Sequence, residues 1–204
     1  MKKIVVYDCD GVLFDSLEAV KAYYDYVFNK FSLPMLNWDD PETLNTAMMK
    51  TNSEIIREFS QDDAKYEEIM EFASNLNFKK FLDKMVPNPG IHDALKELSD
   101  KGYRLAVLTN RGLSLDYLLK HFDMYDYFER LVCSFDVVKP KPHPEGLYKL
   151  IDHFSCSKEE ILFLGDSTND YYAAESAKVP FLAFGNDLFE SPRIDHHMDV
   201  FEYL

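Results

Sequence analysis

The 204-residue chain predicts an α/β protein: a Rossmann-like parallel sheet flanked by helices, with an inserted all-helical segment. Three observations carry that reading. An apolar run, Ile4-Val5-Val6-Tyr7, ends abruptly in charge. From Pro87-Asn88-Pro89-Gly90 onward, strand-like and helix-like stretches alternate. Between these two regions, residues 16–85 show helical spacing and no convincing strand.

Ile4–Tyr7 reads as a strand buried on both faces, and Asp8-Cys9-Asp10-Gly11-Val12-Leu13 places two carboxylates and a glycine at its end. In an open α/β sheet ligands bind at the carboxyl ends of strands, so charge there points to chemistry. In the insertion, Leu17, Val20, Tyr24, Val27, Phe28 and Phe31 recur at helical spacing, with Asp15 and Glu18 as a capping pair. Thr51-Asn52-Ser53-Glu54 is a capping box. A third stretch from Asp62 carries Tyr66, Ile69, Met70, Ala73 and Leu76 on one face. These stripes read as bundle core. The expected division is residues 1–15 and 86–204 as the α/β core and 16–85 as a helical cap.

Beyond the insertion, a helix over Ile91–Lys101 turns Ile91, Ala94, Leu95 and Leu98 inward and stops at Gly102. Further strands are expected at Tyr103–Leu108, Arg130–Ser134, Ile161–Leu164 and Val179–Gly185. His196 and His197 read as exposed loop residues.

Composition suits a compact enzyme. A net charge of −14 argues against nucleic acid and anionic membrane as partners, and 47% hydrophobic residues against disorder. Met1-Lys2-Lys3 and the apolar run faintly imitate a leader, but the run stops at Asp8, so a cytoplasmic protein is expected. Cys9, Cys133 and Cys156 have no metal-ligand or redox spacing and read as reduced and structural.

Three further motifs join the first. Thr109-Asn110-Arg111 follows the strand Tyr103–Leu108. Lys139-Pro140-Lys141-Pro142-His143-Pro144 precedes a helix, and Gly165-Asp166-Ser167-Thr168-Asn169-Asp170 follows the strand Ile161–Leu164. All four, in this order and each at a strand end or helix entry, resemble the haloacid dehalogenase superfamily of phosphohydrolases, most closely its phosphoglycolate-phosphatase-like branch. The resemblance covers nearly the whole chain. Lys178 departs from it, standing where relatives usually carry a glycine; that concerns a turn.

The resemblance implies a Mg²⁺-dependent phosphatase acting on a small phosphorylated metabolite, phosphoglycolate included, through an aspartyl-phosphate. A phosphate monoester is a dianion, so a carboxylate nucleophile needs cations around the transferring group. Asp8 is the candidate nucleophile and Asp10 the general acid and base. An aspartate at position 10 argues against dehalogenation. Thr109 would hydrogen-bond a phosphoryl oxygen. Lys141, which enters the Pro-x-Pro-acid run completed by Glu145, would supply the compact cation, with Lys139 as runner-up. Asn110 and Arg111 match residues on the substrate side, although Arg111 also reads as a solvated surface arginine. Asp8, Asp10, Asp166 and Asp170 form the expected metal site, an all-oxygen set suited to Mg²⁺. Ser167 and Asn169 read mainly as helix caps. Specificity would lie in the cap, whose residues 15–86 hold 14 Asp and Glu against 8 Lys and Arg. Two other readings stay open: a phosphosugar mutase of the same family, and a non-catalytic binding module. A monomer or homodimer is expected.

Overall fold

The computed structural model describes residues 2–112 and 114–204. Met1, with its part in the leader-like start, lies outside them. The chain divides into two compact units, Met1–Asp15 with Pro87–Leu204, and Ser16–Val86. Among the described residues no helix is long and apolar enough to cross a membrane.

The first unit is built on strands β1 (Ile4–Tyr7), β4 (Arg104–Leu108), β5 (Arg130–Val132), β6 (Ile161–Gly165), β7 (Phe181–Phe184) and β8 (Arg193–Ile194). They form one sheet in the order β5-β4-β1-β6-β7-β8, every described pairing parallel. The chain runs outward from β1 through β4 to β5, then returns to the other side of β1 for β6, β7 and β8. Strand order therefore reverses at β1, which is where an open parallel sheet leaves a crevice for ligand. Tyr7 pairs with Val107 on one side and Leu164 on the other, so the three central strands end nearly level.

β1, β6 and β7 are apolar along their length, as expected of strands in a parallel sheet covered by helices. Ile4, Val6, Ala106, Leu108, Ile161 and Phe163 pack with Leu147, Leu150 and Phe154 of α7 (Glu145–Phe154) and Ala173, Ala174 and Ala177 of α8 (Thr168–Ala177). The helices α5 (Ile91–Asp100) and α6 (Leu115–His121) bury Ile91, Ala94, Leu95, Leu98, Leu115, Leu118 and Leu119. Gly102 takes φ +82° just past α5, the left-handed stop expected there. Lys178 holds the same kind of conformation, φ 56°, after α8, so the departure from glycine does fall on a turn.

The second unit contains α1 (Leu17–Lys30), α2 (Pro41–Met49), α3 (Asn52–Phe59), α4 (Asp63–Asn75) and a 3-10 turn at Phe78–Lys84. Short strands β2 (Phe14–Asp15) and β3 (Val86–Pro87) lie where the chain leaves and re-enters the first unit. Tyr23, Tyr24, Val27 and Phe28 of α1 are buried, with Phe28 against Phe59 and Tyr23 against Phe81. The Thr51–Glu54 capping box is present.

Several local expectations are corrected. Ser16, not Asp15, caps α1, without a side-chain bond, and Glu18 pairs with Lys21 instead. In α4 only Ile69 is fully buried. β5 stops at Val132, because the Cys133 N–H turns to the Asp136 carboxylate (2.8 Å) and leaves the ladder. β7 starts at Phe181, after Pro180, which has no N–H to offer. β8 was not expected. His197 is wholly buried in the first unit, its ring stacked on Phe184 at 4.3 Å, rather than exposed in a loop.

Candidate active site

The level ends of β1, β4 and β6 release Asp8, Thr109 and Asp166 at one edge of the sheet. The Asp8 N–H donates to Leu164 O (2.9 Å) and the Thr109 N–H to Val132 O (3.0 Å), so both backbones are still tied to the sheet. Beyond Asp8 the chain closes a tight loop, with Phe14 N–H on Cys9 O (3.1 Å) and Gly11 N–H on Phe14 O (2.8 Å). Gly11 sits at φ +86°, and a Cβ there would stand 1.9 Å from Asp166 Oδ2. Glycine is required twice, by conformation and by this close approach.

Lys141 is buried and donates to three acceptors: Asp8 Oδ1 at 2.7 Å, Asp170 Oδ1 at 2.5 Å and the Leu108 carbonyl at 3.0 Å. Burial works against its charge, but Asp170 and Asp8 more than offset this and raise its pKa. Lys139 is exposed, and its backbone N–H is held by Glu145 (3.0 Å), which also takes the Val138 N–H (2.9 Å). Of the two candidate lysines, the structure therefore brings Lys141 to Asp8. Asn110 fixes it there: its amide accepts from Lys141 N–H (3.0 Å) and donates to Lys141 O (2.8 Å). Asn110 is thus engaged with the lysine loop.

Asp8, Asp166 and Asp170 each offer a carboxylate oxygen within 4.8 Å of the others. Burial and the Asp170 charge push Asp8 up to about 7, against the pull of Lys141. Asp166 is pushed well above the usual carboxylate range by burial, then by Asp8 and Asp170. Its Oδ1 is buried with no hydrogen-bond partner. An orphaned carboxylate oxygen inside an all-oxygen acidic cluster fits a hard divalent cation. Asp170 is more committed: besides Lys141 it accepts from the Ser167 N–H (3.1 Å) and the Ser167 hydroxyl, closing the capping box of α8. The capping reading of Ser167 holds, and it is also what orients Asp170.

Asp10 stands outside this cluster. Both its carboxylate oxygens accept from Arg111, one from Nε at 3.0 Å and the other from Nη2. Its carboxylate is engaged with Arg111, and the acidic cluster found among the described residues is Asp8, Asp166 and Asp170. The surface alternative for Arg111 is also removed, since its side chain is only 8% exposed. Thr109 is buried, and its hydroxyl oxygen accepts the Arg111 N–H (3.1 Å), an arrangement that leaves its own proton to donate.

Sequence reasoning missed three supports. Asn88 donates to Gly11 O (3.0 Å) and Val12 O (2.7 Å), and His197 Nε2 also meets Val12 O (3.0 Å), so two distant segments hold the loop carrying Asp10. Asn186 donates to Asp166 O (2.7 Å). These contacts span long sequence separations and have no local signal.

The family model for the haloacid dehalogenase-like hydrolases matches residues 5–184. The chain belongs to that family. This haloacid dehalogenase-like hydrolase is 26% identical over 194 positions to the phosphoglycolate phosphatase of Nitrosococcus oceani, covering 90% of this chain and 84% of the relative. It is 29% identical over 187 positions to that of Pasteurella multocida, covering 86% and 82%. Among solved structures it is similar to a HAD-superfamily hydrolase of subfamily IA, variant 1, from Geobacter sulfurreducens, with 34% identity, TM-score 0.88 and full coverage of both chains.

Proposed function

We propose that this hydrolase is a Mg²⁺-dependent phosphatase that cleaves a small phosphorylated metabolite through an aspartyl-phosphate on Asp8. The observation that carries the reading is the placing of Lys141 between Asp8 and Asp170, beside the orphaned Asp166 oxygen, at the strand-order reversal of the sheet. Relatives named as phosphoglycolate phosphatases support a phosphoric monoester as substrate, with phosphoglycolate one candidate.

Lys141 binds Asp8 Oδ1, which leaves Oδ2 as the attacking atom. That oxygen forms a bond to phosphorus while the ester P–O bond breaks and the electron pair leaves with the alkoxide. Asp10 protonates the departing oxygen, then takes a proton from the water that attacks the phosphoenzyme, releasing phosphate and restoring Asp8. Thr109 donates its hydroxyl proton to a phosphoryl oxygen, and Lys141 balances the charge gathered on Asp8 and the phosphoryl group. Asp8 and Asp166, with Asp170 oriented behind them, would hold Mg²⁺, whose charge would offset the repulsion between carboxylate and phosphate dianion. The helical unit Ser16–Val86 would act as the cap that selects the substrate. Its support is its insertion directly after the Asp10 loop.

A panel of phosphate esters assayed with Mg²⁺ tests the reading. Steady phosphate release that stops with chelator and returns with Mg²⁺ is expected. Isomerised sugar phosphate without net release, or silence across the panel, would overturn it.

A further inference from the structure

The family resemblance assigns Arg111 to the substrate side, and its guanidinium is engaged there with Asp10. Nε and Nη2 grip the two oxygens of Asp10 in a fork, and Nη1 reaches the Ser114 hydroxyl at 3.2 Å. The backbone of Arg111 is anchored as well: its N–H donates to Thr109 Oγ1, and its carbonyl accepts from the Ser134 N–H (3.1 Å) and the Ser134 hydroxyl (3.3 Å). The arginine is therefore fixed at both ends, with its side chain 8% exposed against 24% for Asp10. A guanidinium held in a planar fork presents a carboxylate in one plane and one direction, which a lysine point charge does not.

We infer that Arg111 is a positioning residue that sets the orientation of Asp10, not a residue that binds the substrate. The inference rests on the proposed role of Asp10 in phosphate-ester cleavage. A carboxylate released from the fork samples several rotamers, and misplacement by about 1 Å at a reacting centre costs on the order of 100-fold in rate.

The experiment compares Arg111→Met and Arg111→Lys, each alone and combined with Asp10→Asn, using a small generic ester such as p-nitrophenyl phosphate and an alkyl phosphate from the panel. Arg111→Met should lower kcat by about 100-fold while KM stays within about threefold. Arg111→Lys should recover part of the loss. In the Asp10→Asn background, Arg111→Met should change the rate by no more than about twofold, because the two residues act as one unit. A raised KM with kcat kept would overturn the inference, as would an equal loss in both backgrounds. If Arg111→Met does not fold, Arg111→Lys carries the same comparison. If the wild type itself releases no phosphate from any ester, the phosphatase reading fails. The positioning claim is then decided by crystal structures of the two variants, where Asp10 keeping its wild-type rotamer in Arg111→Met would overturn it.

Discussion

The Asp166 carboxylate lies against the bare Cα of Gly11, so close that a methyl group there would stand 1.9 Å from Oδ2 and 2.4 Å from Cγ. Gly11→Ala therefore forces Asp166 aside and also places a Cβ at φ +86°. The variant is expected to lose more than about 1 kcal/mol of stability, because both strain and clash act on the folded state. Asp166 is a proposed metal ligand, so half-maximal activation should also require more Mg²⁺. Urea titration and a Mg²⁺ activation curve check the two effects, and unchanged Mg²⁺ dependence would argue against Asp166 as a ligand.

Removing Lys141 should be far more damaging than removing Lys139. Lys141→Ala takes the shared cation from Asp8 and Asp170, and a loss of about 2 to 4 kcal/mol in transition-state stabilisation is expected from kcat/KM. Leaving two buried carboxylates unpaired should also lower stability, so a melting curve is recorded alongside the kinetics. Lys139→Ala, at an exposed position, should stay within about twofold of wild type. Equal effects would remove Lys141 from the mechanism.

His197 makes a pH-dependent contribution whose sign follows from its burial. Burial lowers its pKa from 6.5 to about 4, so the folded state keeps the ring neutral while the unfolded chain takes up a proton near pH 6.5. Its stabilisation is present above pH 6.5 and lost as pH falls toward 4. Between pH 7.5 and pH 5 that loss is about 2 kcal/mol. Asp8 acts oppositely: its pKa is raised to about 7, so its contribution is present at low pH and lost as pH rises toward 7. Comparing wild type with His197→Gln by urea unfolding at both pH values isolates the histidine. Equal pH dependence in the two proteins would contradict it.

Asp10→Asn should slow formation of the phosphoenzyme much more with an alkyl phosphate than with p-nitrophenyl phosphate. An alkoxide needs a proton as it departs, and a nitrophenolate hardly does. Single-turnover kinetics isolate that step from the water attack common to both esters. Equal slowing would leave Asp10 without a role as general acid.

Much of the fold was legible because its signals are local. Ile4–Tyr7 and Ile161–Leu164 are continuous apolar runs, and Gly102 marks the end of α5. β8 has two residues, too few for any period to show, and His197 belongs to a 3-10 segment, His197–Tyr203, packed on α5. At the site, the Asp8 and Asp166 motifs read directly from residue type at a strand end. The Arg111–Asp10 fork, Asn110 on Lys141 and Asn88 on the Asp10 loop did not, because each joins residues 31 to 101 positions apart.

The central claim is that Asp8 becomes covalently phosphorylated. A single turnover with radiolabelled p-nitrophenyl phosphate and Mg²⁺, quenched in acid and digested, tests it most directly. The account predicts label on the peptide containing Asp8, released by hydroxylamine as an acyl phosphate should be, and absent from Asp8→Asn. Turnover of the ester by an enzyme whose quenched peptides carry no label, or carry it on another residue, would contradict it.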